Sequence, residues 1–280
     1  MSFSFLCCII PVKLYWNEKN ANRKGVFSME NPEKIKEAAR IILDNPAKGM
    51  AFTGAGISVE SGIPPFRGAD GLWSKVDPSF IEIETFQRRP EECWKKIREL
   101  FYNHWGRATP NAAHIRIAEM LNKGFLAGVV TQNIDCLHQR AGAPGSKVHE
   151  FHGTLDSLVC MKCSSVYSPD DSLLEQILPS CPKCGGILKP DFVFFGEGIP
   201  EKAFRDSFRL AEECAWCLII GTSGEVMPAC EVPRTARRHG SKIIEINPVP
   251  TAFTHSITDI FLRGKATEIM DSLARELALL

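Results

Sequence analysis

The sequence lacks a surplus of charge of either sign, its 280 residues holding 33 lysines plus arginines against 33 aspartates plus glutamates. No bulk field draws it to nucleic acid or to a membrane surface, so any such contact must be local. A bilayer-spanning run is also missing from the amino-terminal end. Phe3 to Val12 is apolar but too short, with no basic residue before it and no small-residue cleavage site after it, which excludes a secretory signal. Internal repeats and low-complexity segments are absent. With no targeting signal, a cytoplasmic location, no membrane association and a monomer are the default expectations. Residues 1–28 do not resemble the rest of the chain, and are expected to be a disordered extension or the result of a start placed before Met29. Acylation at Cys7 and Cys8 is the sharper alternative.

What is present is ordinary for a soluble globular chain: 44% apolar and 24% charged residues, enough for one large domain and a smaller one. Of eleven cysteines, four form two Cys-x-x-Cys pairs and the others sit among apolar neighbours, which is the usage of a reducing compartment. Strand-like runs alternate with helical periodicity. Asn31-Pro32-Glu33 opens a helix, Met50 to Thr53 and Leu126 to Thr131 read as buried strands, Asn111 to Asn122 and Pro200 to Glu213 as helices, and Lys242 to Ile246 as a strand. This predicts an α/β fold, a Rossmann-like doubly wound parallel sheet, interrupted twice by a smaller inserted domain. The sheet domain is expected over 29–68, 110–153 and 189–280, an aromatic helical module over 69–109 and a zinc module over 154–188.

Gly54-Ala55-Gly56 follows the first buried strand and precedes a helix expected to start near Ser58. Such a turn lets backbone amides approach a phosphate at a helix N-terminus. The third glycine of the dinucleotide fingerprint is replaced by Val59 and no carboxylate follows on a second strand, so the pattern is also that of a plain turn. The apolar loop Ile63-Pro64-Pro65-Phe66-Arg67 suggests a flap over a ligand. Gln132, Asn133 and Asp135 crowd the carboxyl end of the second strand, where open α/β sheets bind ligands, although a turn capped by Asp135 gives the same pattern. His152 stands before a glycine and directly before the zinc module, and can be structural or catalytic. Gly221-Thr222-Ser223 and Asn247 end two further strands. Cys160, Cys163, Cys181 and Cys184, two pairs separated by seventeen residues, have the spacing of a closed four-thiolate zinc site, whose role is structural. Cys214 and Cys217 share the pair spacing without a second pair, and read as core.

Taken together and in this order, the Gly54–Ser58 turn, Gln132–Asp135, His152-Gly153, the four cysteines, and Gly221–Ser223 with Asn247 resemble the sirtuins, a family of NAD-dependent protein-lysine deacylases. The resemblance spans roughly Glu33 to Leu279. It implies that Gly54, Ala55, Gly56, Ile63, Phe66 and Arg67 hold the diphosphate and the nicotinamide ribose of NAD, with Phe66 shielding the reacting carbon. Gln132, Asn133 and Asp135 would line the ribose and nicotinamide pocket, and Gly221, Thr222, Ser223 and Asn247 the adenosine end. The acyl oxygen would attack the ribose as nicotinamide leaves, with His152 as general base, giving lysine, nicotinamide and O-acyl-ADP-ribose. An acyl-lysine peptide would lie between Val193, Phe194, Phe195 and Gly196 on one side and Gly224, Glu225 and Val226 on the other.

Two positions depart from related patterns. Sirtuins that take succinyl groups carry a Tyr-x-x-Arg pair. Here Tyr102 is followed three positions later by Trp105, while counting from Pro90 places Ile97 and Leu100 at those sites, and neither register supplies the arginine, so acetyl or longer apolar acyl groups are expected. Glu225 adds a charge to an edge that is usually apolar. Mono-ADP-ribosylation or NAD hydrolysis on the same site is the nearer rival. A zinc-ribbon nucleic-acid module is a distant one, because Cys160 to Cys184 holds few basic residues and three acids.

Overall fold

The computed structural model describes residues 32–67, 71–103 and 108–279. The expected extension 1–28, the Asn31 cap and Trp105 lie outside the described residues. Among the described residues, nine strands form two sheets: β1 Gly49–Thr53, β2 Leu126–Thr131, β3 Val148–Glu150, β4 Gly153–Cys160, β5 Val166–Tyr167, β6 Leu188–Phe192, β7 Trp216–Ile220, β8 Lys242–Asn247 and β9 Ile260–Arg263. The larger sheet is parallel throughout, in the order β3-β2-β1-β7-β8-β9. With the inserted strands β4 to β6 set aside, this is the doubly wound order 3-2-1-4-5-6.

The central strands are covered on both faces, which is why β1 and β7 are buried at every residue and read as continuous apolar runs. Successive side chains divide between the two layers. Ala51, Leu218, Ile220 and Ile244 pack beneath helices Pro32–Asp44, Ala112–Asn122 and Ala266–Glu276. Met50, Phe52, Cys217, Ile219 and Ile243 face helices Glu201–Glu213 and Glu231–Arg238. Cys214 and Cys217 are buried in that second layer, as their apolar neighbours implied. No helix of the described residues is long and apolar enough to cross a membrane.

The small antiparallel sheet, β5-β4-β6, shares a single core with the aromatic helical segments. Phe101 meets Phe192 edge-on at 5.6 Å, Phe86 meets Phe194 at 5.2 Å, and Trp94 Nε1 donates to the Leu188 carbonyl at 2.8 Å. The two insertions are therefore one body in packing terms.

The chain runs outward from β1 to β3 on one side and from β7 to β9 on the other, so the order reverses between β1 and β7. The glycines act at this junction. Gly54 N–H donates to the Ile220 carbonyl at 3.0 Å and Gly56 N–H to the Gly221 carbonyl at 2.8 Å. A Cβ on Gly56 would lie 2.6 Å from Gly221 Cα. Both amides are engaged by the neighbouring strand end, and the two glycines serve the close approach of two turns. The segment after this turn is a 3₁₀ helix over Ala55–Ser61, not an α-helix from Ser58.

Candidate active site

The ends of β1, β2, β3, β7 and β8 supply the polar groups. Asn133 and Asp135 leave β2 and meet Ser58 from the turn after β1. Ser58 Oγ donates to Asp135 Oδ2 at 2.7 Å and accepts from Asn133 Nδ2 at 3.1 Å. His114 completes the set. Asn111 caps helix Ala112–Asn122 and its backbone N–H donates to His114 Nδ1, so Nε2 carries the proton and faces Ser58 Oγ at 3.4 Å. One hydroxyl thus uses its proton and both lone pairs. Asp135 Oδ1 also accepts from Leu137 N–H at 3.0 Å, so the Asx turn weighed as an alternative is present alongside the site contact. Burial raises the Asp135 pKa, and these hydrogen bonds act against that shift.

A second buried chain lies beneath. Thr53 Oγ1 donates to Thr131 Oγ1 at 2.9 Å, leaving Thr53 to accept from His138 Nε2 at 2.9 Å, while Asn133 N–H donates to Thr131 Oγ1 at 3.1 Å. Desolvation holds both histidines neutral, His114 down to about 4 and His138 well below its ordinary value, the latter also through the neighbouring His114.

His152 follows β3. Its Nδ1 donates to the Gln132 carbonyl at 3.0 Å, which fixes the tautomer and leaves the Nε2 lone pair as an acceptor. Burial lowers its pKa, with the Gln132 bond opposing, so the imidazole is neutral at neutral pH. Gln132 Nε2 in turn donates to Thr222 Oγ1 at 2.9 Å, and Asn247 Nδ2 to the Thr222 carbonyl at 3.0 Å. The ends of β2, β7 and β8 are thereby linked across the crevice. Ser223 joins through its carbonyl, which accepts from Ala252 N–H at 3.1 Å. Neutral amides and hydroxyls with one carboxylate, set at a strand-order reversal, suit the sugar hydroxyls and amide of a dinucleotide such as NAD.

The Ile63–Arg67 loop divides by residue. Ile63 is buried in the aromatic core, Phe66 stacks on Trp73 at 5.2 Å, and Arg67 is exposed. On the expected peptide edge, several main-chain groups already have partners within the chain. Phe194 is fully buried and its N–H donates to Glu197 Oε2 at 2.7 Å. Phe195 N–H donates to the Ile81 carbonyl and its own carbonyl accepts from Ile83 N–H. Val193 N–H likewise donates to the His152 carbonyl at 2.8 Å. Gly196, at φ 92°, ends this edge. Across the crevice, Gly224 packs against the Phe253 ring, Glu225 is exposed, and the Val226 carbonyl accepts from Cys230 N–H.

The sulfurs of Cys160, Cys163, Cys181 and Cys184 lie within 4.8 Å of one another, with Cys160 to Cys184 at 3.5 Å and Cys163 to Cys181 at 3.7 Å. Zn–S bonds of about 2.3 Å in a tetrahedron place sulfurs about 3.8 Å apart, so the cluster fits zinc. Lys162 N–H points to Cys160 Sγ at 3.4 Å, a backbone donor of the kind that steadies a thiolate.

Sequence reasoning missed His114, His138, Thr53 and Thr131, and left Ser58 without a role. A signal existed for His114 alone, as the third residue after the Asn111 cap.

A Sir2 family model matches residues 54–228. The chain is 44% identical over 231 residues to NAD-dependent protein deacylase 2 of Pyrobaculum aerophilum, covering 81% of this chain and 90% of that protein. It is 43% identical over 249 residues to an NAD-dependent protein deacylase of Pyrococcus furiosus, covering 84% and 95%. Among solved structures, Sir2 with a p53 peptide and NAD+ is similar at a TM-score of 0.79 and 33% identity, over 88% of this chain and 99% of that one.

Proposed function

The chain belongs to the Sir2 family and is an NAD-dependent protein deacylase, and within that activity we propose that it removes acetyl and other uncharged acyl groups from lysine, with His152 as proton acceptor. The observation that carries this reading is the Nδ1 bond of His152 to the Gln132 carbonyl, which leaves Nε2 as the basic atom. When bound, NAD supplies the ADP-ribosyl group that accepts the acyl group and the nicotinamide that leaves. His152 takes the proton at Nε2, a role that needs a neutral imidazole titrating below the working pH. Asn133 and Asp135, tied to Ser58, orient polar atoms and a carboxylate at the place where positive charge develops. Phe66, stacked on Trp73, supports a loop that excludes water. Gly196, Gly224 and Glu225 frame the peptide. The four cysteines hold a structural zinc away from the chemistry.

The acyl preference is supported by Tyr102. Its hydroxyl donates to the Leu155 carbonyl at 3.3 Å and its ring stacks on Trp94 at 6.2 Å, so it is engaged with the core and unsuited to grip an acyl carboxylate. The test is incubation with NAD and acetyl-, longer acyl- and succinyl-lysine peptides, following nicotinamide and O-acyl-ADP-ribose. Acetyl turnover should exceed succinyl turnover, and His152→Ala should abolish O-acyl-ADP-ribose formation. Nicotinamide release independent of an acyl-lysine peptide would favour NAD hydrolysis instead.

A further inference from the structure

Glu245 lies on β8, two residues before Asn247, and is fully buried. Three hydroxyls from one adjoining loop donate to its carboxylate: Thr251 Oγ1 at 2.5 Å, Thr258 Oγ1 at 2.7 Å and Thr254 Oγ1 at 2.9 Å. The two shortest have the lengths of charge-assisted O–H···O bonds. A carboxylate in a dry interior costs several kcal/mol to desolvate, and an apolar side chain would fill the space without that cost. What the carboxylate does that an apolar residue cannot is bind three points of the loop 251–258 at once.

That loop supports the turn after β7. Ala252 N–H donates to the Ser223 carbonyl at 3.1 Å. Phe253, itself fully buried, lies so close under Gly224 that a Cβ there would be 2.8 Å from the ring, and the ring also meets Phe52 of β1 edge-on at 6.5 Å and the Arg234 guanidinium at 5.7 Å. Thr251 Oγ1 also accepts from Phe253 N–H at 3.1 Å, which ties the ring's backbone to the residue bound by Glu245. The Gly221–Gly224 turn is thus held between the β1 exit on one side and the threonine loop on the other.

We propose that Glu245, with Thr251, Thr254 and Thr258, is a positioning device that sets the Thr222–Gly224 turn for the adenosine end of NAD, and so governs nucleotide affinity separately from peptide affinity. The inference rests on the NAD-binding reading of this crevice. Glu245→Gln keeps the shape but puts an N–H₂ where hydroxyls now donate, so at least one threonine hydroxyl loses the acceptor for its proton. Thr258→Val removes one donor at nearly constant volume.

The experiment is calorimetric titration of ADP-ribose into the full chain and its variants, with steady-state KM for an acetyl-lysine peptide at saturating NAD measured in parallel. Loss of buried hydrogen bonds to a charged group should weaken ADP-ribose binding by about tenfold in Glu245→Gln and about threefold in Thr258→Val, with peptide KM and kcat within about twofold. Binding within about twofold of wild type in both variants, or an equal rise in the ADP-ribose Kd and the peptide KM, would overturn the proposal. If Glu245→Gln does not fold, Thr258→Val decides alone. Failure of the unaltered protein to bind ADP-ribose would instead remove the NAD-binding reading beneath it.

Discussion

The two walls of the crevice are built by different means. The wall proposed to hold the nucleotide grows from the carboxyl ends of β1, β2, β7 and β8, and its side chains are fixed to one another by hydrogen bonds, as Ser58 is to Asp135, Asn133 and His114. The opposite wall is assembled from two insertions that share an aromatic core and depend on four sulfurs meeting. A wall tied to a six-stranded sheet inherits its stability from that sheet, whereas a small layered module relies on its metal and on packing across the insertions.

The sharpest way to expose that difference is to remove the metal. Structural zinc contributes on the order of 10 kcal/mol to folding of small domains, so Cys160→Ser with Cys184→Ser should unfold the β4–β6 region and abolish deacylation. Hydrogen exchange would then show lost protection over 154–192 and retained protection in β1, β2, β7 and β8. Uniform loss across both sheets would erase the distinction between the walls.

Next in size is His152→Ala. Loss of a general base costs about 10²- to 10⁴-fold in rate. The peptide wall is untouched by this change, so peptide KM should stay within a few-fold while kcat falls.

The nucleotide wall also has an acid sensitivity of its own, set by its buried histidines. His114 protonates in the folded chain only near pH 4, against an ordinary 6.5 in the unfolded chain. As pH falls from 6.5 toward 4, the unfolded state binds a proton that the folded state refuses, so stability drops across that window and levels off below it. The loss from this one residue is about 2 kcal/mol between pH 6.5 and 5, and His138 adds in the same direction. Urea titrations at the two pH values check this, and His114→Gln should flatten the dependence.

The smallest expected effect sits on the peptide wall. Glu197 Oε2 accepts from Phe194 N–H and from the buried Lys189, whose ammonium also lies 4.2 Å from the centre of the Phe194 ring. Glu197→Gln keeps the shape and weakens both bonds. It should raise peptide KM about three- to tenfold and leave ADP-ribose affinity unchanged, the reverse of the pattern expected for Glu245→Gln.

Much of this architecture was legible in the residues because it depends on local pattern. The β2 run Leu126–Thr131 and the helix capped by Asn111 follow from periodicity and capping, and the cysteine spacing implied a tetrahedral cluster before any sulfur positions were known. What escaped depends on meetings between distant segments. Nothing near His138 says that its ring will reach Thr53, 85 residues earlier, and three threonines after β8 look like an ordinary polar loop until Glu245 is seen to face them. The glycines at 54 and 56 were ambiguous for a related reason, since a strand-turn-glycine pattern serves equally to meet a phosphate or another backbone, and they do approach the backbone of Gly221. Short strands such as β3 and β9 carried too few residues for a period to show.

His152 Nε2 is the atom proposed to accept the proton. The most direct test compares the acid limb of kcat/KM for an acetyl-lysine peptide with the titration of His152 followed by imidazole NMR in the free enzyme. The two should coincide at an apparent pKa below 6.5, the direction in which burial moves this ring. An acid limb that ignores the measured titration of His152, or that persists unchanged in an active His152→Ala protein, would contradict it.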